Sequence, residues 1–145
     1  MMRLDGLRPH VLTRRVQMIC DVGILSAAFA VAYVLRFDFA LPRVVLLGAL
    51  TQLPLVVVLQ FAALHAAGVH RFIWRYVGMR ELKAFVNAAV WSSLVLLTLR
   101  LGLPDRLGAY RVPISIIVLG TGLGFGGVLC LRLLRRSLHE RAEKR

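Results

Sequence analysis

Acidic residues are scarce: seven stand against nineteen lysines and arginines, and charged residues of both signs make up only 18% of the 145-residue chain. A soluble domain carries about 25%. That shortage leaves too little polar material to cover the core that one soluble domain of this size would bury. Cysteine is limited to Cys20 and Cys130, both inside apolar runs. Two isolated cysteines exclude a disulfide framework and show no metal-ligand spacing, so they read as small buried side chains. The first apolar run is too long for a signal-peptide core and has no clear small-x-small site, which argues against cleavable targeting.

What the chain has instead is apolar length. Apolar residues make up 59% of it, blocked into long runs and not spread at core-facing spacing. A spanning helix needs roughly 20 such residues to cross about 30 Å of hydrocarbon. Four stretches qualify, at about 16–35, 44–64, 82–99 and 112–134, the third being the shortest. The expected fold is an all-α membrane protein, a bundle of four transmembrane helices over residues 1–136. A charged tail or linker follows over 137–145.

Lysine and arginine set the expected orientation. Fourteen flank the ends of the spans nearest the two termini and the 65–83 connection, and five flank the opposite ends. The positive-inside rule then puts both termini in the cytoplasm. The net charge of +12 is distributed around the spans and forms no separate basic domain, so nucleic acid is not an expected partner.

Asp21, Gln60, Asn87 and Arg132 fall inside the spans, each toward the cytoplasmic end. A lone carboxylate at the centre of a spanning helix costs roughly 2.5–3.5 kcal/mol, so Asp21 should face the bundle and find partners. The expectation is a polar layer in which Asn87 bonds Asp21 and Arg132 pairs with it. Such a layer serves either as glue between helices or as a binding place for a lipid headgroup or a partner domain. Pro54, in the second span, is expected to kink it.

The fourth span contains Gly120, Gly122, Gly124, Gly126 and Gly127, and from Gly122 it matches the dinucleotide fingerprint G-x-G-x-x-G. A genuine fingerprint needs a strand, a turn and a helix, with an acidic residue about 20 positions on. Here only Glu140 and Glu143 follow, in a basic tail. The pairs Gly120/Gly124 and Gly122/Gly126 have instead the small-xxx-small spacing that lets membrane helices approach closely, within one bundle or between copies in a homo-oligomer.

Between the second and third spans, Val69, Phe72, Ile73, Tyr76 and Val77 share one helical face, with Arg71, Trp74 and Arg75 on or beside the other. This pattern predicts a short amphipathic helix in the headgroup layer, its arginines toward lipid phosphates. Arg71, Trp74, Arg75 and Arg80 are the candidate interface residues. Generic anchoring would use the same chemistry.

Several short motifs carry a resemblance. Leu35-Arg36-Phe37-Asp38 closes the first span, and Gly68-x-x-Arg71-x-x-Trp74-Arg75-Tyr76 is followed by Arg80-Glu81-Leu82. Val112-Pro113 opens the fourth span, and Arg132-Leu-Leu-Arg-Arg closes it. Together they resemble, over essentially the whole chain, the N-terminal membrane region of the polysaccharide biosynthesis nucleotide-sugar dehydratase/epimerase family (capsular polysaccharide protein D-like). Initiating phosphoglycosyltransferases carry a similar region, and His70 stands where the family more often has tyrosine.

The resemblance implies bacterial capsule or O-antigen synthesis at the inner membrane. It implies a cytoplasmic Rossmann-type domain that binds NAD(P) and acts on a UDP-linked N-acetylhexosamine as a 4,6-dehydratase or epimerase. None of that domain's motifs occurs here, so no catalytic, cofactor or metal residue carries over. Two readings follow. One is a membrane anchor for such a catalytic domain, near glycan-assembly proteins. The other is a stand-alone assembly protein that binds polyprenyl phosphate or acidic lipid through Arg71, Arg75 and Arg80. An active site within the spans has no supporting cluster of residues.

Overall fold

Long apolar runs without water to satisfy their backbones have one local solution, the helix, whose amides bond within the segment. The computed structural model describes residues 9–68 and 79–143, and these form four long helices and one short 3₁₀ turn. Helix α1 is Pro9–Arg36, α2 Arg43–Ala66, α3 Met79–Gly102 and α4 Ile114–Glu143, with the 3₁₀ turn at Asp105–Tyr110. Each α-helix is long and apolar enough to cross a membrane. The protein is therefore read as a multi-pass membrane protein.

Three of the four expected spans lie wholly within these helices, and the fourth, expected from 112, begins its helix at Ile114. The third has a 21-residue apolar stretch, Leu82–Gly102, about 31 Å at 1.5 Å per residue, which is long enough to span about 30 Å of hydrocarbon. The expected tail is helical through Glu143, where α4 ends. Residues 69–78, where the amphipathic helix was expected, lie outside the described residues.

The turns follow from their sequences. After α1, Phe37 N–H donates to Tyr33 O (3.1 Å) and Phe39 N–H to Val34 O (3.0 Å). To close this turn Asp38 and Phe39 take φ of 49° and 64°. Asp adopts that left-handed region readily and Phe rarely. At the far end of α2 the same role falls to Gly68 at φ 71°, whose N–H donates to His65 O. Glycine enters that conformation without a Cβ penalty. Pro54 removes one donor from α2, yet the helix stays continuous from Arg43 to Ala66.

The helices pack in a ring, each against its neighbours in sequence, and α1 closes the ring against α4 with the most extensive contact. That closure depends on small residues. A Cβ placed on Gly120 would sit 3.8 Å from Ala32 Cβ, and one on Gly124 would sit 3.0 Å from Leu25 and 3.7 Å from Ala28. A Cβ on Gly127 would meet Ile24 at 2.8 Å. Positions 122 and 126 face open space. Of the two glycine pairs in the sequence, only Gly120/Gly124 is an intramolecular seam. The dinucleotide match dissolves, because the whole glycine run is helix.

Two apolar clusters fill the ring. One holds Leu25, Leu64, Phe85, Phe125 and Val128, toward the chain termini. The other holds Phe29, Tyr33, Leu96, Val112 and Ile116, toward the opposite end.

Candidate functional site

Polar side chains are buried at three levels, and every level joins different helices. Nearest the termini, Asp21 on α1 is 1% exposed and receives a 3.0 Å bond from the Arg132 guanidinium on α4. The guanidinium also lies over the Phe85 ring of α3, 5.3 Å from its centre. A delocalised cation against a π face suits a site with little water. Asp21 and Arg132 are thereby paired as the sequence suggested, and α3 is drawn in through the ring.

At the middle level, Gln60 on α2 is 1% exposed, and its amide donates to Thr121 Oγ1 on α4 at 3.3 Å. Ser93 on α3 donates to the same hydroxyl, also at 3.3 Å. Gln60 Oε1 has no hydrogen-bond partner among the described residues and faces Gly124. Gln60 thus belongs to a layer of its own, separate from Asp21.

The third level lies at the opposite end. Gln52 accepts a 2.5 Å bond from Tyr33 Oη and donates to the carbonyls of Ala109 (2.7 Å) and Arg111 (3.4 Å). Arg100 donates to Val112 O (2.7 Å), while Arg111 binds Leu103 O and the Asp105 carboxylate, the latter at 2.9 Å. These bonds tie the 3₁₀ turn to α1, α2 and α3. Sequence reasoning missed this belt, although Gln52, Val56, Gln60 and Leu64, all buried, recur every four residues along α2. That spacing places Gln52 on the buried face with Gln60.

Asn87 departs from the expectation. It is exposed on α3 and makes no hydrogen bond to Asp21 among the described residues, lining instead a surface depression with Ala63, Ala66, Ala67, Ala88 and Trp91. Polar type and depth suggested a partner for Asp21, but position 87 follows buried Phe85 by two residues, which turns it away from the bundle. Arg71, Trp74 and Arg75 lie outside the described residues, and Arg80 does so in its side chain.

Chemically, this arrangement holds helices. No group of three or more His, Cys, Asp or Glu that could hold a metal occurs among the described residues. Cys20 is half-buried and Cys130 exposed, both free thiols. Among the described residues, a groove of about 370 Å³ between α3 and α4 is walled almost wholly by apolar atoms, with Ser93 and Thr121 among its lining residues. Comparison with known protein families, with characterised proteins and with solved structures finds no match.

Proposed function

We propose that this chain is the membrane-anchoring domain of a nucleotide-sugar dehydratase- or epimerase-type protein of bacterial polysaccharide synthesis. It would sit in the inner membrane with both termini in the cytoplasm. The resemblance of the junction motifs suggests the family, and the excess of arginine at one end of the bundle supports the orientation.

The observation that carries the anchoring role is α4 itself. It leaves its apolar stretch at Leu134 and continues as unbroken helix to Glu143, about 13 Å farther. A rigid rod leaving the bilayer is a suitable mount for a soluble domain, holding it at fixed height above the lipid. Internally, the buried polar side chains are spent on helix contacts, which is what an anchor requires and a catalyst does not.

The reading frame beyond Arg145 in the gene tests this directly. A strand followed by a glycine fingerprint and helix would support the anchor, and a stop codon would overturn it in favour of a stand-alone protein. Reporter fusions after residue 145 test the orientation: phosphatase activity there, on the outer side, would refute it.

The second reading, lipid or polyprenyl-phosphate binding, rests on Arg71, Arg75 and Arg80 recurring within ten residues. It predicts weaker binding to polyprenyl-phosphate liposomes when all three are changed to Gln. Unchanged affinity would end it.

A further inference from the structure

Asn87 and Trp91 are one helical turn apart on α3, and both carry hydrogen-bonding groups on an exposed face. Neither side chain has a hydrogen-bond partner among the described residues. Counting from Leu82, Asn87 lies about 7.5 Å into the apolar stretch and Trp91 about 13.5 Å, close to mid-bilayer. Trp91 is 62% exposed there, although tryptophan facing lipid normally sits at the membrane surface. An amide in hydrocarbon with nothing to bond is costly by several kcal/mol on transfer scales. Two such groups on one face mark a surface meant to be covered.

Asn87 also identifies the cover. Copies of one chain insert in the same direction, so a twofold axis between them runs along the membrane normal and matches equal residues at equal depth. Few side chains can bond their own copy in that position. A carboxylate or an ammonium repels its twin, whereas a carboxamide is donor and acceptor at once. A single Asn at a seam position fixes register and pairing in coiled coils by this means. Beside Asn87 and Trp91, the small residues Ala63, Ala66 and Ala67 form a wall of the same depression, which lets a neighbouring helix come close. Lys83, one turn nearer the membrane surface, has a stem long enough to carry its charge out to the headgroups.

We propose that this face of α3 is a homodimer seam in which the Asn87 amides of two copies bond each other within the membrane. The inference is independent of the anchoring role and stands or falls without it.

The test uses the full chain, fluorescently labelled at its C-terminus, in phosphatidylethanolamine/phosphatidylglycerol vesicles at falling protein-to-lipid ratio. Energy transfer should report a dimer. Asn87→Leu should weaken it about five- to thirtyfold, and Asn87→Gln should keep most of it. In a Cys20→Ser, Cys130→Ser background, Val90→Cys should cross-link between copies and Gly122→Cys, on α4, should not. Unchanged helical circular dichroism confirms that each variant is folded. A protein monomeric at every ratio would overturn the seam. So would a dimer indifferent to Asn87→Leu, or one cross-linked through position 122. If Asn87→Leu fails to insert, the cross-linking pair decides alone.

Discussion

Asp21 and Arg132 stand 111 positions apart in the chain and 3.0 Å apart in the fold, the carboxylate buried and the guanidinium side chain 17% exposed. Two opposite charges taken out of water stabilise a fold only when each has the other, and removing one partner strands the remaining charge. Arg132→Met should therefore cost about 3–5 kcal/mol, the range for breaking a buried pair, because it strands the enclosed Asp21 carboxylate. Asp21→Leu should cost less, because the charge it strands is the Arg132 guanidinium, which α4 places where a long side chain can reach water. Changing both together should recover most of the loss. Unfolding in mixed micelles of increasing SDS fraction measures all three. Equal, additive losses would show that the pair contributes no coupling.

The α1–α4 seam makes a second prediction, because the glycines of α4 divide by face. A side chain at position 124 meets Leu25, Ala28 and the Gln60 amide, all held in the core, whereas position 122 opens outward. Overfilling a packed interface costs about 1–3 kcal/mol. Gly124→Leu should fall in that range, and Gly122→Ala should be neutral or stabilising by up to about 1 kcal/mol, the helix propensity gained. The same micelle titration separates them. If both variants lost stability equally, the face assignment would be wrong.

Much of this fold is legible in the sequence because the bilayer leaves so few choices. Runs of some twenty apolar residues have to be helices, and helix Arg43–Ala66 begins and ends within two residues of the reading from composition. The ion pair is legible for a related reason: Asp21 in such a run has to be matched, and Arg132 is the cation at similar depth. Asn87 is where that logic fails. Its depth can be counted from the sequence, but which way it faces depends on the rotation of α3, and that is set by Phe85, Ala88, Ser92 and Leu96 packing inward. Gln52 fails differently. Its amide donates to main-chain carbonyls of Ala109 and Arg111, which no pattern of side chains can announce.

That Gln52 belt gives the last prediction. Tyr33 Oη, Gln52 and two carbonyls form one connected set of hydrogen bonds, and Gln52 is itself buried. Removing one of the two buried side chains leaves the other unsatisfied, at about 1–3 kcal/mol for a stranded buried group. Tyr33→Phe strips one donor from the Gln52 carbonyl and should cost toward the lower end of that range. Gln52→Leu strands the tyrosine hydroxyl and frees both carbonyls of the 3₁₀ segment, so it should cost more and act locally. Amide hydrogen exchange distinguishes a local effect from a global one: residues 103–112 should lose protection in Gln52→Leu while the middle of α4 keeps its own. The Arg111 contacts to Leu103 and Asp105 do not involve Gln52 and should hold that segment in place, loosened but not unfolded. If exchange rose equally along α4, the belt would be a support of the whole bundle, and its confinement to one end would be disproved.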